Sequence, residues 1–165
     1  MFKERDLLIY PTQGLAEVQG IETKTIGGNP VEFYILRIVA KNLAIMVPVA
    51  NEQKIGLRKV VAETELTNVF TILRAPSNMH YSQWHHRYTD NFEKLKSGSI
   101  CQTAEVVRDL YSLKQKKNLA IKESRMMDNA LQLLIAEIAA SKSIPETEAN
   151  SMIEEALTSV VEQRN

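Results

Sequence analysis

Residues Val31 to Val39 read VEFYILRIV, and this run decides the first half of the fold. It is dense in β-branched and aromatic side chains, which fit a pleated, half-buried strand better than a helix. Working outward, Gly27, Gly28, Asn29 and Pro30 form a turn signal immediately before it, and Lys41 and Asn42 form another immediately after. Beyond the first turn lies LAEVQGIETKTI (Leu15 to Ile26), and beyond the second LAIMVPV (Leu43 to Val49). Upstream again, LLIY (Leu7 to Tyr10) stops at Pro11 and is followed by Gly14. Short strands joined by tight turns predict a small, strongly curved antiparallel sheet or partial barrel, a shape that usually binds rather than catalyses. Gly20, inside the second strand, marks a bulge or bend.

Past Gly56 the period lengthens. Leu66, Val69, Phe70 and Leu73 follow helical spacing, with Thr64 as a candidate cap and Pro76 as the stop. A second helix is expected from an N-cap at Ser82 to Gly98 at C′, burying Tyr88, Phe92 and Leu95. A third is expected from about Ser99 to Lys117, a fourth from about Lys122 to Ser141, and a fifth from Pro145 to about Glu162. Short links make these a compact antiparallel bundle. The expected architecture is therefore a β module over residues 1–55 followed by a five-helix all-α domain over 56–165, with the boundary somewhere in Asn51 to Lys59.

The 165 residues are 44% hydrophobic and 24% charged, a make-up with ample material for a core. No apolar run is long enough to span a membrane and MFKERD lacks the apolar stretch of a signal peptide, so a cytoplasmic location is expected. The single Cys101 excludes an internal disulfide and a cysteine-rich zinc site. Dinucleotide, P-loop and HExxH motifs are absent, and no nucleophile is spaced to pair with a base. Neither an enzyme nor a cofactor is expected. His85 and His86 point about 100° apart on a helix, so metal binding with His80 and Cys101 is disfavoured.

The balanced total of 20 basic and 20 acidic residues hides a segregation. Residues 74–125 carry ten basic and five acidic side chains, whereas 126–165 carry two and seven. Inside the basic middle lies SQWHHRY (Ser82 to Tyr88), with the only tryptophan in the chain. A large flat ring beside cations at the start of a helix suits stacking on a base while its neighbours hold phosphate. It equally suits a core anchor whose indole N–H is bonded inside.

Taken in order, YPTQG with Tyr10, Pro11 and Gly14, QGIET with Gly20 to Glu22, and Val47 and Pro48 carry a resemblance through the β module. GLR (56–58), LRAP (73–76), WHHRY (84–88), EKLKSG (93–98) and AEVVRDLY (104–111) continue it. The chain resembles, from end to end, the CarD/CdnL family of bacterial transcription factors that bind RNA polymerase. That resemblance implies a Tudor-like β module docking on the polymerase β subunit. It also implies a helical module touching promoter DNA at the upstream edge of the melted region, with a tryptophan wedged at the fork. Carried onto this sequence, the wedge is Trp84, and Arg87 belongs to the same motif. The polymerase-facing positions fall on Lys24, which keeps the charge, on Met46, where some members have arginine, and beside it on Pro48. Two basic DNA-facing positions of some members fall on Thr89 and Ser124, while His85, His86, Lys122 and Arg125 lie close enough to compensate.

The resulting expectation is a monomeric factor that binds polymerase and promoter DNA without reading sequence and stabilises the open complex. The alternative is a polymerase-bound adaptor whose helices recruit another protein through the acidic tail. An RNA-binding β module using Phe33 and Tyr34 is disfavoured, because their run is too apolar for an open stacking face.

Overall fold

The computed structural model describes residues 1–77 and 83–163, the last three of these by their backbone alone. The chain divides into two compact units, Met1–Val60 and Val61–Asn165.

In the first unit, β1 (Leu7–Tyr10), β2 (Gly14–Ile26), β3 (Asn29–Ile38), β4 (Leu43–Pro48) and β5 (Arg58–Lys59) form one sheet in the order β4-β3-β2-β1-β5. All its pairings are antiparallel. The register of β2 on β3 shifts between Val18 and Gly20, which is the bulge expected at Gly20. Alternation along β3 sends Tyr34, Leu36 and Ile38 into the core, where they meet Leu8, Ala16, Val18, Val47 and Leu57.

Two features were not expected. A short helix, α1 (Glu52–Ile55), follows β4, and two-residue β5 pairs with β1 through Leu8–Lys59 and Ile9–Arg58. With Leu57 buried in the sheet core and β5 hydrogen-bonded to β1, the first unit runs five residues past the expected end at residue 55. The second unit begins abruptly. The Val61 N–H donates to Glu137 Oε2 at 3.0 Å and its carbonyl accepts from Ser141 Oγ at 2.7 Å.

Among its described residues that unit has five α-helices: α2 (Leu66–Arg74), α3 (Trp84–Lys96), α4 (Ile100–Lys114), α5 (Ile121–Lys142) and α6 (Glu146–Gln163). Their apolar faces share one core, including Val69, Leu73, Ala104, Val107, Leu110, Leu134, Ile138 and Ile153. Ser99 caps α4 by accepting from the Gln102 N–H, and Gly98, at φ 74°, takes the left-handed position that ends α3. Thr64 does not cap α2, since a 3₁₀ turn over Glu63–Glu65 leads into that helix. The expected cap Ser82 lies outside the described residues, and α3 starts at Trp84 behind Gln83, which makes no side-chain cap bond. Phe92, expected inside, is 46% exposed; Asn91 is buried instead.

One core group makes the sheet unit sensitive to alkali. Tyr34 is fully buried, donates its hydroxyl proton to Glu52 Oε2 and accepts from the Phe2 N–H at 3.0 Å. Burial, then the Glu52 carboxylate, push this phenol above its ordinary value near 10. The unfolded chain therefore loses the proton first, and as pH rises from about 10 toward the raised value stability falls. Urea midpoints at pH 8 and above pH 10 should fall more steeply for the wild type than for Tyr34→Phe. Parallel falls would show that Tyr34 is not the group responsible.

Candidate functional site

Two surfaces emerge, one on each unit. On the sheet, residues facing each other across a strand pair share a face. Lys24 is opposite Val31, Met46 opposite Ile35 and Pro48 opposite Phe33, so alternation along β3 places all six on the face away from Tyr34. The fold thus brings the three expected polymerase-facing residues together around a strip of half-buried Val31, Phe33 and Ile35. Met46 is 41% exposed on β4, at the edge of the sheet. Glu17 and Arg37, also paired across β2 and β3, bond at 2.7 Å on the same face. Phe33 and Tyr34 point to opposite faces, so they cannot form one stacking platform for RNA.

On the helical unit, the site is built around Arg87 and Glu123. Arg87 Nε lies 2.9 Å from Glu123 Oε1, and Nη2 lies 3.2 Å from Oε2, a two-pronged contact between the first turns of α3 and α5. Arg87 is 6% exposed and Glu123 1%. The guanidinium of Arg87, one of the residues expected at the DNA surface, lies inside the unit, where a carboxylate 36 residues on meets two of its nitrogens. Glu123 also accepts the Ala120 N–H at 3.4 Å, satisfying a donor at the α5 N-terminus.

This pairing gathers the remaining expected residues at one end of the unit. Trp84, the first residue of α3, is half-buried, and His85 and His86 are exposed beside it. Lys122, Ser124 and Arg125 flank Glu123 and are exposed. Two helix N-termini add their partial positive charge. The Trp84 ring lies 3.9 Å from that of His85, and Tyr88 meets Trp84 edge-on at 6.5 Å. Tyr88 in turn stacks on exposed Phe92 at 6.3 Å, so an aromatic row at four-residue spacing runs along α3 from Trp84. Thr89 turns its hydroxyl back to the His85 carbonyl at 2.9 Å.

Such an arrangement offers ring faces and cations, which bind. Among the described residues no three His, Cys, Asp or Glu side chains gather to hold a metal, and His80 lies outside them. No described helix is long and apolar enough to cross a membrane. Sequence reasoning missed Glu123 and Phe92. The ExxH-like local cues that betray a functional carboxylate are absent around Glu123, and only its position three residues into a helix, typical of an N-terminal capping glutamate, could have drawn notice.

Each of the two units carries a family match. Residues 2–61 match the sequence model described as the CarD-like/TRCF RID domain, and residues 68–154 match that of the CarD C-terminal domain. The chain is also similar to the "Putative transcription factor YdeB" of Bacillus subtilis (strain 168), at 32% identity over 151 residues that cover 92% of this chain and 99% of that protein. Matched across both units and along nearly the whole of a relative, the chain belongs to the CarD/CdnL family of transcription factors.

Proposed function

We propose that the protein docks on the β subunit of RNA polymerase through the Lys24, Met46 and Pro48 face of its sheet and stabilises the promoter open complex. Its helical unit applies the Trp84 end to DNA at the upstream edge of the bubble. The observation that carries this reading is the joining of the α3 and α5 N-termini by Arg87 and Glu123, which sets Trp84, Lys122 and Arg125 at one end. A few phosphate contacts give a dissociation constant on the order of 10⁻⁴ to 10⁻⁶ M at cellular salt. Docking raises the local DNA concentration to roughly millimolar, enough to fill such a site. Stacking of a base on Trp84 contributes about 1 to 3 kcal/mol. If it acts on the open complex alone, each ~1.4 kcal/mol shifts the opening equilibrium tenfold.

The test is the lifetime of open complexes formed by the cognate polymerase with wild-type protein, with Trp84→Ala and with neither. A lifetime extension of tenfold or so that disappears in the variant is expected. An extension that survives Trp84→Ala, with polymerase binding confirmed, would refute the wedge.

One observation favours the adaptor reading: Glu146, Glu148, Glu154 and Glu155 are all exposed on α6, a face suited to a basic protein. Salt separates the two. With Lys122 and Arg125 on phosphates, the DNA-dependent part of ternary-complex affinity should fall about tenfold between 50 and 200 mM salt. An adaptor would show no such slope with DNA.

A further inference from the structure

Arg87 and Glu123 form a charge pair deep enough to be shielded from DNA, yet each is flanked by residues that face outward. Trp84 lies one turn before Arg87 on α3, and Lys122 and Arg125 bracket Glu123 on α5. A two-pronged guanidinium–carboxylate contact fixes orientation as well as distance, which a single-point lysine contact does not. Packing alone between α3 and α5 is slight beside that of α4 on α5.

We propose that Arg87 and Glu123 are positioning residues for DNA engagement: their ion pair locks the first turns of α3 and α5 together, so that the Trp84 ring and the Lys122 and Arg125 cations meet the fork as one preformed surface. This rests on the DNA-facing reading of Trp84. A preformed surface engages without first ordering its parts, and a loosened one loses that advantage before it loses any contact. Arg87 then matters to DNA through Trp84, never through a phosphate of its own.

The proposal makes predictions opposite in sign to those of direct contact. If Arg87 reached phosphate and Glu123 merely stood nearby, Glu123→Gln would remove a repelling charge and lengthen the open-complex lifetime. As a positioning residue, Glu123→Gln shortens it. The experiment compares full-length wild type, Arg87→Lys, Glu123→Gln and Trp84→Ala on the cognate polymerase–promoter complex. Open-complex lifetime, its salt dependence and the quenching of Trp84 fluorescence by a forked DNA are measured at a temperature where circular dichroism shows every variant fully helical.

Arg87→Lys and Glu123→Gln should each lose about tenfold in lifetime and most of the Trp84 quenching, with the salt slope unchanged. A wild-type lifetime and quenching in a folded Arg87→Lys would overturn the proposal. So would a longer lifetime in Glu123→Gln. Failure of the underlying DNA reading looks different, because Trp84→Ala would then match the wild type and quenching would be absent throughout.

Discussion

Replacing Glu123 with alanine should lower the stability of the helical unit by about 3 to 5 kcal/mol, the usual consequence of removing one member of a buried ion pair. Arg87 is 6% exposed, so water cannot take the place of the carboxylate without opening the first turn of α3. The Ala120 N–H loses its acceptor in the same substitution. Denaturant unfolding followed at 222 nm reports mainly the five helices and would measure the loss. A loss under 1 kcal/mol would mean that the pair is solvated in solution. The companion variant Arg87→Met/Glu123→Leu separates stability from position, since an apolar pair of similar volume replaces a buried ion pair at little or no cost. Most of the stability should return with both substitutions together, which would show that the single-variant loss came from the stranded charge.

Much of the fold was legible because its signals are local. Turn residues and β-branched runs located β1 to β4, and the Gly98 and Pro76 stops bounded α3 and α2. Strand β5 was not legible, because two residues carry no alternation and their pairing to β1 spans some fifty positions of chain. The α3 face was misread for a related reason. Helical spacing allows Phe92 or Asn91 to face inward, and apolarity favoured Phe92; the tertiary packing of α4 and α5 chose Asn91. Arg87 stands in a motif beside Trp84, where an arginine reads as a phosphate ligand. In the fold it pairs with a non-local carboxylate, and only the folded chain reveals that kind of pairing. Lys24, Met46 and Pro48 came from the family resemblance alone, and strand register then put them on one face.

Met46→Glu is accordingly expected to weaken polymerase binding by at least tenfold and by as much as a thousandfold, a loss of about 1.4 to 4 kcal/mol. The side chain stands on the edge strand beside Ile35 and near Pro48 and Phe33, so a docked partner would cover it with apolar atoms. A carboxylate there must shed its water without gaining a cation, unless Lys24 reaches it, and Lys24 lies two strands away on β2. Met46→Arg should be tolerated, since its long stem can lie along the apolar strip while the head reaches solvent. Binding measured against the isolated β subunit, without DNA, isolates this step. Equal affinity for wild type and Met46→Glu would remove the outer sheet face from the docking surface. The same variant also tests the division of labour between the units. With Trp84, Lys122 and Arg125 untouched, high concentrations of Met46→Glu should restore open-complex lifetime if, as proposed, docking contributes local concentration and the helical unit contributes the DNA contact. Trp84→Ala, which keeps docking and lacks the ring, should fail to restore it at any concentration.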